Sequence, residues 1–252
     1  MKIYTYFLMM LVLAVTVMVS ACKGSSKTQQ TPKETELIVK QFSVNGAPLQ
    51  LQFRTGKAHN YPTFAVWIED MDGKLIQTLF VTRSLATGWY KYGDAGDGNW
   101  LKVPGTSVRP AALPYWLHKR EKTESDPLMP TPENPVADAY TGATPSGSFT
   151  LKANSGVSLP DRFKVLVELN QPWDWNSFWT NAKFPDNPDY KTSAQPSLIY
   201  AVIVDKKQPM QEYFLNPIGH GHYSGQDGML YTDLSGHTTA LQIFQQISLI
   251  LK

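Results

Sequence analysis

Eighteen prolines are spread along the 252-residue chain. Each removes a backbone N–H and clashes with the preceding turn, so a helix interior breaks or kinks there and long helices are excluded as the framework. What the prolines separate is a series of short apolar runs. Leu37-Ile38-Val39 and Leu49-Gln50-Leu51-Gln52-Phe53 flank the turn pair Asn45-Gly46, and the second run alternates apolar and polar residues at a period of two. Phe64 to Ile68 and Leu75 to Val81 are separated by Asp70-Met71-Asp72-Gly73, which reads as a hairpin turn. Phe163 to Leu169 alternates again, and Leu198 to Val204 is the near-continuous aliphatic run of a strand buried on both faces. One short C-terminal helix is expected, capped by Ser235 or Thr238 and passing through Leu241 and Phe244, with a last strand over Ile247 to Leu251. Short strands spaced by turns, without alternating helices, predict an all-β fold: an antiparallel β-sandwich of the immunoglobulin-like kind with long aromatic and Pro-rich loops.

The N-terminus follows a different logic. Lys2 gives a small positive start, Ile3 to Val19 is uncharged and apolar, and Val19-Ser20-Ala21-Cys22 closes the run with small residues. That order is the layout of a secretory signal. The run also approaches the length of a spanning helix, so an uncleaved anchor is the alternative. The last four residues resemble the lipobox of bacterial lipoproteins, which implies lipid on Cys22, cleavage ahead of it and a lipid bilayer as the first partner. Residues 1–21 are then signal peptide, 22–35 a polar flexible tether, and 36–252 a single domain. Lys23 stands where some lipoproteins carry the Asp that retains them at the inner membrane, which favours the outer membrane, facing the periplasm or the exterior. Cys22 is the only cysteine, so the domain has neither a disulfide nor a thiolate metal site to supplement its core.

A formal charge of +2 with scattered basic residues leaves no footprint for nucleic acid, and a small molecule or a protein is the expected partner. No nucleophile elbow or zincin motif suggests a hydrolase. Two segments resist the sandwich pattern. Lys119 to Ala137 is Pro-rich and too long for an ordinary connection. Gln171 to Pro196 carries Trp173, Trp175, Phe178, Trp179, Phe184 and Tyr190, a loop expected to pack over something.

The Pro-rich segment leads into Asp138-Ala139-Tyr140-Thr141-Gly142-Ala143-Thr144. This Asp-x-x-Thr-Gly-Ala-Thr order resembles the acceptor motif of flavinylated extracytosolic proteins, in which an FMN transferase joins the flavin phosphate to the last Thr. The resemblance implies covalent FMN on Thr144, with Asp138, Thr141, Gly142 and Ala143 as the recognition sequence. Small neighbours would let a phosphate approach the backbone. The same residues also suit a plain turn between strands. Phe64 to Asp70 with Asp72-Gly73-Lys74, Ala112 to Arg120, the Thr-Gly-Ala-Thr-Pro loop, Gln195 to Tyr200 and Gly219-His220-Gly221-His222 together resemble a family of predicted periplasmic proteins, domain of unknown function 2271. That likeness implies a PepSY-type membrane redox protein as partner and extracytosolic electron transfer as the role. A cofactor-free lipoprotein whose aromatic loop grips a glycan or peptide is the competing reading.

A flavin ring needs flat aromatic neighbours, which Trp89, Tyr90 and Tyr92 or the Trp173, Trp175 and Trp179 group would supply. The negative charge of its reduced form needs a cation, for which His118, Lys119 and Arg120 are the candidates by motif position. His220 and His222 are expected to line the same pocket as the Thr144 loop. Two His one residue apart on an extended chain share a side, and Asp227, His237 or His118 would complete a metal set, but no established motif spacing matches and no metal is expected. Asp94 to Asn99 lacks the distal Glu of a calcium loop and reads as a turn.

Overall fold

A computed structural model describes residues 35–41, 43, 46–96, 99–120, 127–136 and 140–251, which belong to one compact unit, Thr35–Lys252. Cys22, the signal segment, nearly all of the tether and Asp138 lie outside the described residues. No helix among the described residues is long and apolar enough to cross a membrane.

The alternating runs become strands, and the protein is mostly β. β1 (Glu36–Gln41), β2 (Pro48–Thr55), β3 (Thr63–Glu69), β4 (Leu75–Thr82), β9 (Tyr140–Gly142), β10 (Phe149–Asn154), β11 (Arg162–Asn170), β12 (Leu198–Asp205), β13 (Tyr213–His220) and β14 (Phe244–Leu251) form one large curled sheet in the order β1-β10-β2-β14-β13-β12-β11-β3-β4-β9. Four residual strands are short: β5 (Trp89–Tyr90) pairs with β8 (Gly105–Thr106), and β6 (Asp94–Gly96) with β7 (Asn99–Trp100). The curl brings strands distant in the sheet order face to face. Phe53 and Phe149 from one end lie 5.7 and 5.5 Å from Phe64 near the other, and Phe64 stacks on Phe80 at 4.7 Å. This aromatic seam is the centre of a core that takes residues from β1 to β4 and from β10 to β14.

Every residue of β3 is buried, which a sheet with one wet face does not allow. Its outer face is covered by a second apolar cluster supplied by the connection after β4. α1 (Arg83–Thr87) and α2 (Pro114–Lys119) bring Leu85, Ala86, Leu113, Trp116 and Leu117 onto Ala65 and Trp67 of β3, Leu166 of β11 and Ile199 of β12. Part of the Pro-rich segment belongs to this cover: Met129 is buried in it, and Val136 donates its N–H to the Ala86 carbonyl at 2.9 Å. The third short helix, α3 (Pro188–Ser193), starts at an Asn187 side chain that accepts from the Tyr190 N–H.

Three sequence expectations need correction. The sheet is mixed rather than purely antiparallel, because β1 runs parallel to β10 and β9 parallel to β4. Asn45-Gly46 therefore does not join paired strands: β10 lies between β1 and β2. The C-terminal helix is reduced to a single 3-10 turn at Ala240–Gln242, and β14 begins at Phe244 rather than Ile247. Phe244 is buried 5.3 Å from Phe53 and 6.2 Å from Phe149, so its ring packs in the core as a strand residue and the helical spacing gives way. The hairpin at Asp70 to Gly73 forms, with Gly73 at a φ of 86° and the Asp70 carboxylate accepting from the Asp72 and Lys74 N–H groups.

Candidate functional site

β9 is the edge strand of the large sheet, and it holds the end of the acceptor-like segment in place. Thr141 pairs with Val81 and Gly142 with Thr82, Ala143 is exposed, and Pro145 is buried just beyond. Thr144, half-buried between them, donates its hydroxyl to the Pro62 carbonyl at 2.9 Å. An edge strand of three residues has few ladder bonds to lose.

Gly142, Ala143 and Thr144 form part of the rim of a groove of about 1050 Å³, at the upper end of the range of about 300–1,000 Å³ for small-molecule sites. The two short hairpins after α1 build the facing wall. Gly88 sets their direction: it ends α1 at a φ of 63°, where any side chain would be strained, and a Cβ there would lie 2.6 Å from the Pro130 carbonyl oxygen. The chain then presents Trp89 outward and Tyr90 inward. Tyr61, Trp89, Tyr92 and Trp173 on this groove are all about half exposed or more, a cluster of wet aromatics of the kind that marks interaction sites.

Backbone strain is concentrated at the same place. Trp173 and Tyr61 adopt φ values of 68° and 50°, and only one other non-glycine residue of the described chain has a positive φ. A left-handed conformation costs an ordinary side chain about 1–3 kcal/mol and is kept where the surroundings or a function require it. Here it directs two aromatic side chains that remain more than half exposed.

The groove also gathers charge. Arg83, Lys91, Lys102 and Arg109 line it and, among the described residues, no carboxylate does, so a chain of net charge +2 concentrates cations there. Arg109 is the most constrained of them. Its guanidinium lies 3.7 Å from the centre of the Tyr90 ring and 4.2 Å from that of Trp100, and Nε donates to the Ser107 hydroxyl at 3.3 Å. Burial lowers its pKa, opposed by Tyr90 and Asp94. Tyr90 is buried with its hydroxyl lacking any hydrogen-bond partner, and burial drives its pKa upward against the pull of Arg109.

The structure thus unites Gly142, Ala143 and Thr144 with Trp89, Tyr90, Tyr92 and Trp173 in one groove, keeps Thr141 on the adjoining edge strand outside the lining, and leaves the other candidates elsewhere. His118 is exposed, with Nε2 facing the Gly225 carbonyl at 3.2 Å. Lys119 is paired with the buried Glu69 at 3.0 Å and also donates to the Gly73 carbonyl. Arg120 donates to the carbonyls of Leu128 and Pro127. These three side chains hold the cover of the sheet together and do not line the groove. The cations that do line the groove are Arg83, Lys91, Lys102 and Arg109, and only their closeness in sequence to Trp89, Tyr92 and Trp100 would have pointed there.

His220 and His222 do not line the groove either. They lie under the aromatic loop, where Trp179 and Tyr231 flank His220, and Phe184 stacks on Tyr223 at 3.9 Å. His222 accepts at Nδ1 from the Ser224 hydroxyl at 3.0 Å. His237 sits 4.9 Å from His220, and burial and the His220 charge hold its pKa down at about 4 against the pull of the nearby Pro196 carbonyl and Asp233. Among the described residues no group of three or more His, Cys, Asp or Glu side chains is placed to hold a metal.

Gly221 between the two histidines has a steric role. A Cβ would lie 2.5 Å from Pro114, 2.6 Å from the Ser197 hydroxyl and 3.2 Å from the Glu168 carboxylate. Gly221→Ala is expected to destabilise the fold by about 1–3 kcal/mol through overpacking, read by denaturant unfolding. An unchanged midpoint would mean that these neighbours are free to move.

No family model, curated protein or solved structure matches the chain.

Proposed function

We infer that this is an exported lipoprotein, anchored to a bilayer through Cys22, that carries FMN on Thr144 and passes electrons to a PepSY-type membrane redox protein. The observation that carries this reading is the position of the Thr144 hydroxyl, on the rim of a groove with aromatic walls and four cations. The resemblance of Asp138 to Thr144 to a flavin-acceptor sequence names the group, and the groove suits it. Exposed aromatic faces offer stacking to a planar ring. Arg83, Lys91, Lys102 and Arg109 suit a phosphate and the anion of a reduced ring. Bound there, the flavin supplies the electron transfer, while the protein orients it and sets its surroundings.

Localisation on the periplasmic or exterior side, with preference for the outer membrane, follows from the lipobox-like end and Lys23. The two facing halves of the curled sheet favour a sandwich of the immunoglobulin-like kind as its description. Exposed tryptophans also suit a glycan or peptide platform, and covalent attachment separates the two readings.

Co-expressed with an FMN transferase and exported, the protein is expected to gain the mass of FMN less one water on the peptide containing Thr144. Thr144→Ala abolishes the gain, because no hydroxyl remains to take the phosphoester, and Thr141→Ser retains it. Intact-protein and peptide mass spectrometry decide this. No attachment in the presence of an active transferase, or attachment elsewhere, would favour the cofactor-free binding lipoprotein.

A further inference from the structure

The groove has features that a covalent tether alone does not require. A phosphoester to Thr144 needs only an accessible hydroxyl on a segment that an enzyme can grip, yet the groove beside it is strained and charged. Trp173 is held at a φ of 68° with 61 % of its surface exposed, and Tyr61 at a φ of 50° with 62 % exposed. Neither conformation is explained by burial of the side chain it presents. The Tyr90 hydroxyl is 5 % exposed as a residue and donates to nothing.

Arg109 is the most specific of these features. Its guanidinium packs over the rings of Tyr90 and Trp100, and its Nε–H is taken by Ser107. Neither terminal nitrogen makes a hydrogen bond with the described residues. Aromatic packing engages the faces of a guanidinium and leaves its N–H groups in the plane, where they form a fork that matches paired acceptors. A ligand that satisfies this wall has a flat ring for the exposed aromatics and an acceptor edge for the fork. A phosphate tail would meet the remaining cations.

We propose that the groove binds a planar heteroaromatic ring with a carbonyl acceptor edge noncovalently, the ring of FMN being the case in point, with Arg109 donating to that edge and Trp173 supplying a stacking face. The identity of the ring depends on the reading of Thr144 as a flavin acceptor; the existence of the site does not. Attachment then secures a ring that the groove already selects, and specificity lies in the wall rather than in the bond.

The test uses the unmodified full-length protein, produced without any FMN transferase and kept in detergent, with FMN and riboflavin as probes. Quenching of flavin fluorescence is expected to be saturable at one flavin per chain. Arg109→Leu weakens binding about tenfold or more, the effect of one lost charge-assisted hydrogen bond. Trp173→Gly also weakens it, while its melting temperature stays level or rises, since glycine accepts the left-handed backbone without strain. That combination distinguishes a ligand wall from a structural tryptophan. Should Arg109→Leu fail to fold, Trp173→Gly decides alone. No saturable quenching, or an affinity left unchanged by either folded variant, overturns the proposal. Saturable quenching by a protein that a transferase never modifies defeats only the Thr144 assignment. Covalent labelling of a protein that shows no quenching defeats only this site.

Discussion

Replacement of Glu168 by Ala is expected to lower stability by about 3–5 kcal/mol, because it leaves several buried donors without an acceptor, and to lower the melting temperature by roughly 10 °C for a domain of this size. Glu168 is fully buried on β11 and accepts from the Trp116 N–H at 2.7 Å, the Tyr115 N–H at 3.2 Å and the Ser197 hydroxyl at 2.6 Å. The residue before α2 is Leu113, which has no side-chain oxygen, so a carboxylate from the neighbouring strand closes the helix start instead. A loss below about 1 kcal/mol would show that water or a shifted backbone replaces it.

The same carboxyl gives stability a pH dependence of definite sign. Burial raises its pKa from 4.5 to about 7, against the pull of Ser197, Trp116 and Tyr115. Across that window the folded chain holds a proton that the unfolded chain releases. The contribution is therefore full below pH 4.5 and is lost as pH rises to 7, about 3 kcal/mol in all. His237 works the other way: its pKa is held down from 6.5 to about 4, so its contribution is full above pH 6.5 and is lost as pH falls. The two slopes oppose each other between pH 4.5 and 6.5, and His59 and His220, whose pKa values burial also lowers, add to the side of His237. Glu168→Gln should therefore steepen the rise of stability with pH across this window, measured by urea unfolding at several pH values. A stability difference between variant and wild type that does not change with pH would remove Glu168 from the titration.

Lys119→Met should cost a comparable amount, about 3–5 kcal/mol, by leaving a buried carboxylate without its counter-ion. Glu69 is 1 % exposed, and the same oxygen that meets Lys119 also accepts from the Trp67 indole N–H at 2.8 Å. Burial works against the charge on Lys119, but Glu69 and Tyr115 outweigh it and its pKa is raised. Glu69→Gln combined with Lys119→Met should recover most of the loss, since the amide oxygen still receives Trp67 and no charge is stranded. If the double variant is as unstable as the single one, the loss comes from the lysine's packing over Tyr115 instead, where its Nζ lies 4.6 Å from the ring centre.

The strands were legible where one face is dry and the other wet, or where both faces are dry. Leu49 to Phe53, Phe64 to Ile68, Leu75 to Val81, Phe163 to Leu169 and Leu198 to Val204 all lie within strands, although the last is not buried on both faces throughout: Leu198 to Tyr200 are buried, Ala201 and Val202 are partly open and Ile203 is exposed. β10 was equally readable in principle, since Phe149 to Asn154 alternates perfectly in burial, but the run was not singled out from the sequence. β13 carries Pro217 beside a register shift in its pairing with β12, a proline that hides a strand from any propensity argument. Parallel pairing at the two sheet edges leaves no local signature, because the partners are far apart in sequence and the hydrogen bonds do not depend on side chains. At the site, Thr144 was named from the resemblance of Asp138 to Thr144 to an acceptor motif, and the Trp89 to Tyr92 aromatics from their residue types alone. His118, Lys119 and Arg120 were named by motif position alone and lie away from the groove, whereas Arg109 reaches it through a hairpin packing that no periodicity encodes.

The place of β14 has a consequence in time. It is the last strand of this chain to be made, yet it lies inside the sheet, joining β2 on one side to β13 on the other. Until residues 244–251 have left the ribosome, β2 and β13 each present an open edge, and the Phe53 and Phe149 rings lack the Phe244 neighbour that completes their seam. The sheet is thus closed late, by pairings between residues far apart in sequence, the kind of topology that folds slowly.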